Sequence, residues 1–272
     1  MQFEGKTVVI TAGASGMGRR IAQRMSERGA NTVIADINRE QALELAAQLP
    51  SSLAVHCDVR DSVDVERARD GALERFGAVD VVMSHAGIAT AGLVHEISET
   101  DWQRMLDVNV VGMARVVRAF LPHMLERGSG HFIMTSSSLA LLGGHPVSAL
   151  AVPYIASKAA VIGLAQAVAT AHASEGINVT LFAPDATDTG WSPEPAAGEA
   201  GSRAGQVAAG LPRYARQTPE QAADVLMAAL DAGSFLASAT PDHRRLLRVQ
   251  ADALLDPSAL WAEYEPDTAA HI

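Results

Sequence analysis

Between residues 6 and 83 four short apolar runs, largely β-branched, alternate with segments of helical spacing. The runs cover residues 6–11, 31–35, 53–57 and 79–83, and the helical patterns cover 19–28, 39–48 and 61–76. Continuous apolar strands joined through helices make a parallel sheet covered on both faces, because each crossover lays a helix on one of them. The expected fold class is therefore α/β, a doubly wound parallel β-sheet. Ligands of such sheets bind outside the carboxyl ends of the strands. Residues 13–18, Asp36, Asp58 and residues 84–87 all fall there.

The first run leads into Ala12-Gly13-Ala14-Ser15-Gly16-Met17-Gly18. A glycine-rich turn before a helix lets backbone N–H groups approach a pyrophosphate, and the helix N-terminus favours the anion. Such turns also occur as plain tight turns. Asp36 closes the second run 18 residues beyond Gly18, near the spacing of an acid that hydrogen-bonds an adenosine ribose. A carboxylate there repels a 2′-phosphate. No Lys or Arg immediately follows it, and Ser15 brings no positive charge to the turn. NAD is favoured over NADP on these grounds. The alternative is that Asp36 only caps the next helix, and Arg19, Arg20 and Arg39 stand near it in sequence.

Tyr154 and Lys158 are four residues apart, a spacing that puts both on one face of a helix. A phenol titrates near ~10, and a neighbouring ammonium favours the phenolate. A Tyr so placed takes a proton from an alcohol or returns one to a ketone; a solvated Tyr–Lys pair is the alternative. The helix that follows carries no Asp, Glu, Lys or Arg from Ala159 to Ala173. A helix apolar on all sides is buried on all sides. One face is expected on the sheet. The other, over residues 154–175, is expected against a second copy of the chain, with burial under another segment of the same chain as the alternative. The run reads as too short and too interrupted to span a membrane, which takes ~20 apolar residues.

Downstream, Ser98 is placed as a helix cap, and the helix continues, bent, through Asn109 to Glu126. Asn109 lies in an apolar run, so its amide needs a partner if buried. Residues 131–136 and 177–183 read as strands, and residues 235–237 as a seventh. Thr218-Pro219-Glu220-Gln221 reads as a capped helix start, and residues 244–255 carry Leu247, Ala251, Leu254 and Leu255 at helical spacing.

The whole chain, residues 1–272, is within the range of one large α/β domain. A net charge of −10 with no Lys/Arg cluster argues against nucleic acid as partner. Cys57 is the sole cysteine and the nine His are scattered, so no metal site is expected. The first residues run straight into a strand pattern without a leader, and a cytoplasmic location is the simplest expectation.

Taken together, these motifs resemble the short-chain dehydrogenase/reductase family of compact, single-domain type, over roughly residues 5 to 238. The resemblance implies a Rossmann-type sheet of about seven strands and hydride transfer between a secondary alcohol or ketone and a nicotinamide. It implies that Asn109, Ser137, Tyr154 and Lys158 are the catalytic set. It places Thr11, Gly13, Gly16 and Gly18 at the pyrophosphate, Asp58 at the adenine and Thr189 at the nicotinamide carboxamide. With their neighbours, the cofactor contacts expected are Gly13, Ser15, Gly16, Met17, Gly18, Asp36, Ile37, Cys57, Asp58, Val59, Ser84, Ala86, Gly87, Tyr154, Lys158, Pro184, Thr187 and Thr189. Four departures stand out: Ala12 replaces the first glycine of the turn, Ser84-His85 replaces Asn-Asn, Asp185 replaces the glycine after Pro184, and Ser137 is unusually far from Tyr154. Ser136 and Ser138 flank Ser137 and compete with it for the catalytic place.

The resemblance also implies roles. Tyr154 is the acid/base, Lys158 steadies its phenolate, Ser137 orients the substrate oxygen and Asn109 holds a water. A lid is expected over residues 190–215, rich in Ala, Gly and Pro and too long for a plain connector. Substrate contacts are expected from Ser137, Leu139, His145, Tyr154, Trp191 and Tyr214, with His145 otherwise facing solvent. Their apolar character favours a hydrophobic, aromatic or cyclic secondary alcohol or ketone. Residues 239–272 form an extension that packs on its own subunit or on a neighbour. An NADPH-dependent ketone reductase is the alternative function, and a non-catalytic nucleotide-sensing protein a remoter one.

Overall fold

The computed structural model describes residues 1–190, 193–196, 216–240 and 242–264, with side chains to 260. In chain order the first half runs β1 (Thr7–Thr11), α1 (Gly16–Glu27), β2 (Asn31–Asp36), α2 (Arg39–Ala46), β3 (Ser52–His56), α3 (Ser62–Phe76) and β4 (Val81–Ser84). After a two-residue strand β5 (Thr90–Ala91) come α4 (Glu99–Leu106), a π-helical turn (Asp107–Val111), α5 (Gly112–Glu126) and β6 (Gly130–Thr135). Then follow a one-turn α6 (Ser138–Leu141), a 3-10 turn (Pro146–Leu150), α7 (Val152–His172) and β7 (Ile177–Ala183). The C-terminal part holds β8 (Glu194–Pro195), α8 (Pro219–Asp231), β9 (Leu236–Ser238), α9 (His243–Asp252) and a last 3-10 stretch (Pro257–Tyr264).

Seven strands form one sheet in the order β3-β2-β1-β4-β6-β7-β9, every pairing parallel. After β3 the chain returns to the far side of β1, so the order reverses between β1 and β4. A crevice opens at the carboxyl ends of strands at such a reversal. Because the sheet is covered on both faces, β1 is buried at all five positions. One core packs α3, α5 and α7 on one face through Val65, Ala72, Val116, Phe120 and Val161. The other packs α1 and α8 on the opposite face through Ile21, Met25, Ala223, Leu226 and Leu230.

Strand limits agree with the sequence patterns to within two residues. α1 starts three residues earlier than its pattern, at Gly16, because the helix begins inside the glycine turn. The residues after Ser137 are not a plain loop: Ser137 caps α6 and His145 caps the 3-10 turn, through Leu139 N and Val147 N. The bend between α4 and α5 is the π turn, and Asn109 lies in it. Thr218 and Gln221 form the full capping box at the start of α8.

The length of α7 needs correcting. With the turn that follows it extends over 24 residues and is long and apolar enough to cross a membrane by length and composition. Within the fold it is instead a sheet-packed helix, seated on β7 and β6. Its other face is open. Ala156, Ala159, Ala160, Gly163, Ala167 and Ala171 are exposed, and no segment among the described residues covers them.

Candidate active site

The crevice starts from the backbone of the glycine turn. Gly16 takes φ +51°, and a Cβ on it would press on the Thr189 side chain at 3.0 Å. A Cβ on Gly18 would overlap the Ala12 carbonyl oxygen, so only glycine lets α1 begin this close to the end of β1. Ala12, where the family has glycine, also lies in the left-handed region, at φ 52°. That conformation costs an L-residue ~1–2 kcal/mol, of which a glycine would return part as freedom of the unfolded chain, ~0.5–1 kcal/mol. Ala12→Gly is therefore expected to raise the melting temperature by about 1–3 °C. A thermal melt that showed no gain would mean that the turn relaxes around the alanine.

Thr11 joins the two strands that flank the reversal. Its Oγ1 accepts from His85 N (2.9 Å) and Ala86 N (3.2 Å) and donates to Met83 O (3.4 Å). Asp36 is buried at the end of β2. Its Oδ2 accepts from Ala14 N (3.0 Å) and its Oδ1 from Asn38 N (2.8 Å). The helix cap of α2 is Asn38, whose side chain accepts from Gln41 N. Asp36 is thus not the cap; it ties the glycine turn to the second strand.

Beyond Asp36 an apolar slot is lined by Ile37, Cys57, Asp58 and Val59 on one wall and by Ala86, Gly87 and Ile88 on the other, with Arg60, Arg104 and Val108 at its rim. Arg60 grips the Asp58 carboxylate through Nε (3.0 Å) and Nη2 (2.6 Å) and holds it below the usual carboxylate range. Burial, with Asp64 nearby, pushes the Cys57 thiol up to about 12, so it is an inert wall residue rather than a nucleophile.

Around the opposite end stand Ser15, Gly16, Met17, His85, Thr135, Tyr154, Lys158, Pro184 and Thr189. Tyr154 and Lys158 rise from the first turns of α7, with the Lys158 ammonium 5.8 Å from the phenol ring centre. Lys158 is buried and its Nζ donates to Thr135 O (2.9 Å). The three serines after β6 separate by partner. Ser136 Oγ donates to Lys158 O (2.7 Å), Ser138 Oγ donates to Asp185 Oδ1 (3.1 Å), and Ser137 hydrogen-bonds the Tyr154 hydroxyl. Only Ser137 meets the phenol, although 17 residues separate the two in sequence.

The expected effect of lysine on tyrosine is reversed here. Burial pushes the Tyr154 phenol above its ordinary value, and the Ser137 bond offsets part of that rise. The same burial brings Lys158 down to about 8. Desolvation penalises a charge on either group and outweighs their mutual attraction. Asn109 is fully buried and satisfied. Its Oδ1 accepts from Ile88 N (2.8 Å), and its Nδ2 donates to Ile88 O (2.9 Å) and Ser157 Oγ (2.9 Å). It fastens the segment after β4 to α7, from the kind of π turn that often marks functional sites.

Ser84 is buried at the end of β4. The Thr187 hydroxyl donates to Asp185 O and accepts from Gln217 Nε2, which occupies it in the loop root. Leu139 lies in α6 and His145 caps the 3-10 turn, both on the segment that follows Ser137. His145 is half-buried rather than solvent-facing, and burial lowers its pKa. Trp191 and Tyr214 lie outside the described residues. His85 was not singled out as a contact. It lines the crevice, its Nδ1 meets Thr135 Oγ1 (3.1 Å), and burial with the Lys158 charge brings it to about 4, so the imidazole is neutral. Its place between Ser84 and Ala86 was the available signal.

A parallel sheet with a glycine turn at its reversal point, and a hydroxyl, phenol and amine gathered beside it, defines a class of dinucleotide-dependent oxidoreductase. Comparison with known proteins gives the family: the model for short chain dehydrogenase matches residues 6–199, and the chain belongs to the short-chain dehydrogenases/reductases, oxidoreductases that act on CH–OH groups with NAD or NADP. It is 36% identical over 200 residues to a meso-2,3-butanediol dehydrogenase of Serratia marcescens, covering 71% of this chain and 78% of that one. It is 38% identical over 187 residues to a mitochondrial borneol dehydrogenase of Lavandula x intermedia, covering 67% and 70%. A short-chain dehydrogenase/reductase of Burkholderia phymatum solved in complex with NAD superposes with a TM-score of 0.81 at 26% identity, over 93% of this chain and 95% of that one.

Proposed function

We propose that this protein is an NAD(H)-dependent oxidoreductase interconverting a secondary alcohol and a ketone, with Tyr154 as the general acid/base. The observation that carries the reading is the convergence of Ser137, Tyr154 and Lys158 beside the glycine turn. The cradle fits a dinucleotide: bare glycines at 16 and 18 where a Cβ would collide, and Gly87 where a Cβ would crowd Lys158 Nζ at 3.1 Å. Gly13, Gly16 and Gly18 would hold the pyrophosphate, Asp36 the adenosine ribose, Asp58 and Val59 the adenine, and Thr189 and Pro184 the nicotinamide end. When bound, the nicotinamide supplies the hydride acceptor or donor.

The side chains do the rest. Ser137 Oγ hydrogen-bonds the substrate oxygen and orients it, an electrostatic contribution of a few kcal/mol (~2.7–4 for such a donor). Tyr154 Oη takes the hydroxyl proton in oxidation and returns it in reduction. Lys158, anchored on Thr135 O, steadies the phenolate, and Asn109 holds the neighbouring backbone in place. A relative named for borneol and the apolar residues after Ser137 support a hydrophobic, cyclic or aromatic alcohol, against relatives named for butanediol and sorbitol. The deciding experiment is a screen of secondary alcohols with NAD⁺, followed by absorbance of the reduced cofactor. Silence across cyclic, aromatic and short aliphatic alcohols, and across their ketones with NADH, would refute the assignment.

The pH dependence follows from burial. A phenol held above its ordinary pKa is protonated at neutral pH, so it is ready to donate in ketone reduction. Alcohol oxidation needs the phenolate and is expected to rise with pH from 6, more slowly above 8, while reduction, whose phenol stays protonated over this range, changes little. As Lys158 loses its charge through about 8, its support for the phenolate fades and the rise flattens. Initial rates in both directions across this range check the sign; an oxidation rate independent of pH would contradict it.

The exposed small-residue face of α7 supports a homo-oligomer, dimer or tetramer, through residues 154–175. Sedimentation equilibrium is expected to give a multiple of the 28.5 kDa chain mass, and Gly163→Arg to reduce it to one. A native protein that sediments as a single chain would remove this proposal.

A further inference from the structure

The C-terminal segment reaches back to the site side of the molecule at three places. Thr240 Oγ1, just after β9, donates to Asp185 Oδ2 (3.4 Å), and Asp185 Oδ1 accepts from Ser138 Oγ (3.1 Å). From α9 the Gln250 amide spans the end of α6: in the amide orientation that matches donors to acceptors, its nitrogen donates to Leu141 O (3.2 Å) and its oxygen accepts from Gly143 N (3.2 Å). Between these polar points Leu246 of α9 and Leu260 of the last 3-10 stretch bury Leu142 in a small apolar cluster separate from the main cores.

What they grip has little rigidity of its own. α6 is one turn, four residues long, far below the length at which a helix is self-supporting. Gly143 and Gly144 follow it, the second at φ +87°. Yet this turn begins at Ser137, the residue that meets the Tyr154 hydroxyl. A segment that is weak by itself and attached directly to the reacting hydroxyl needs an external support, and the C-terminal segment supplies it on both sides.

We infer that Thr240 and residues 242–260 form an intrachain strap that positions the segment 138–145, with Gln250 as its central positioning residue, and that the strap thereby sets how bulky a substrate fits beside Ser137. The kinetic part of this inference rests on the proposed alcohol oxidoreductase; the structural part does not.

The test compares Gln250→Ala and Gln250→Glu with wild type. Glu keeps the acceptor for Gly143 N and loses the donor to Leu141 O. Amide hydrogen exchange of the peptide spanning residues 139–146 is expected to quicken about tenfold in Gln250→Ala and less in Gln250→Glu, since each bond is worth about one factor of five to ten. With cyclohexanol, 1-phenylethanol and meso-2,3-butanediol as probes, KM for the bulkiest is expected to rise about fivefold to tenfold in Gln250→Ala. The NAD⁺ affinity and the melting temperature stay near wild type. Unchanged exchange in Gln250→Ala overturns the strap. Faster exchange with the three KM values unchanged overturns its role in substrate choice. If wild type oxidises none of the probes, the alcohol reading fails, and the exchange measurement alone decides the strap.

Discussion

Tyr154→Phe is expected to lower turnover by at least ~10²-fold, the usual scale of general acid–base catalysis, with fold and dinucleotide affinity intact. Phenylalanine fills the same volume, so no cavity opens beneath α7. The lost hydroxyl is a buried group whose bond is to Ser137. Ser137 still accepts from Leu139 N (3.3 Å) after the change, so its position as cap of α6 persists. The Ser137 hydroxyl loses the phenol oxygen it bonds, a cost of ~0.5–1.5 kcal/mol of stability. The two readouts therefore separate: initial rates with an alcohol found in the screen fall steeply, and the melting curve barely moves. Wild-type rates in Tyr154→Phe would exclude Tyr154 as the acid/base. A large drop in melting temperature would show that the phenol is a structural pillar instead.

The second large effect concerns which dinucleotide is used. Asp36→Asn is expected to lower the preference for NAD⁺ over NADP⁺, as the ratio of kcat/KM values, by about 10–100-fold. The arithmetic comes from charge-assisted hydrogen bonds, worth ~1.5–3 kcal/mol each, of which the ribose loses one, together with relief of repulsion toward a 2′-phosphate. Asn is the informative replacement because Asp36 has a structural duty as well. Its two oxygens accept from Ala14 N and Asn38 N, so Asp36→Ala would leave both backbone groups unpaired and blur binding with turn stability. Asn retains one acceptor and removes the charge. Arg60 is committed to Asp58 and does not supply a replacement phosphate ligand. An unchanged ratio would mean that the carboxylate serves the turn alone, as the bonds to Ala14 and Asn38 would then suffice to explain it.

Much of the site's frame was legible without coordinates because it depends on local rules. Period and β-branching mark the strands, glycine marks the turn, and four-residue spacing puts Tyr154 over Lys158; each is a property of a few neighbouring residues. From strand-helix alternation followed a parallel sheet, and from that sheet the side on which Gly18, Asp36, Asp58 and Gly87 assemble. Residue type and spacing do not separate Ser136, Ser137 and Ser138, which are adjacent; the family resemblance selects Ser137, the one that meets the phenol. Their partners, Lys158 O, Tyr154 and Asp185, come from three distant places in the chain.

The residues themselves determined that this chain forms a wound parallel sheet, that it carries a phosphate-type glycine turn, and that a tyrosine and a lysine share a helical face. Tertiary structure alone decided the electrostatic state of that pair, because the cost of desolvating a phenolate or an ammonium depends on everything packed around it and on no nearby letter of the sequence. It likewise decided that residues 242–260 fold back on their own subunit. An amphipathic helix announces that it has an apolar side; only the assembled surface, here Leu142 and the backbone at Leu141 and Gly143, says what that side will meet.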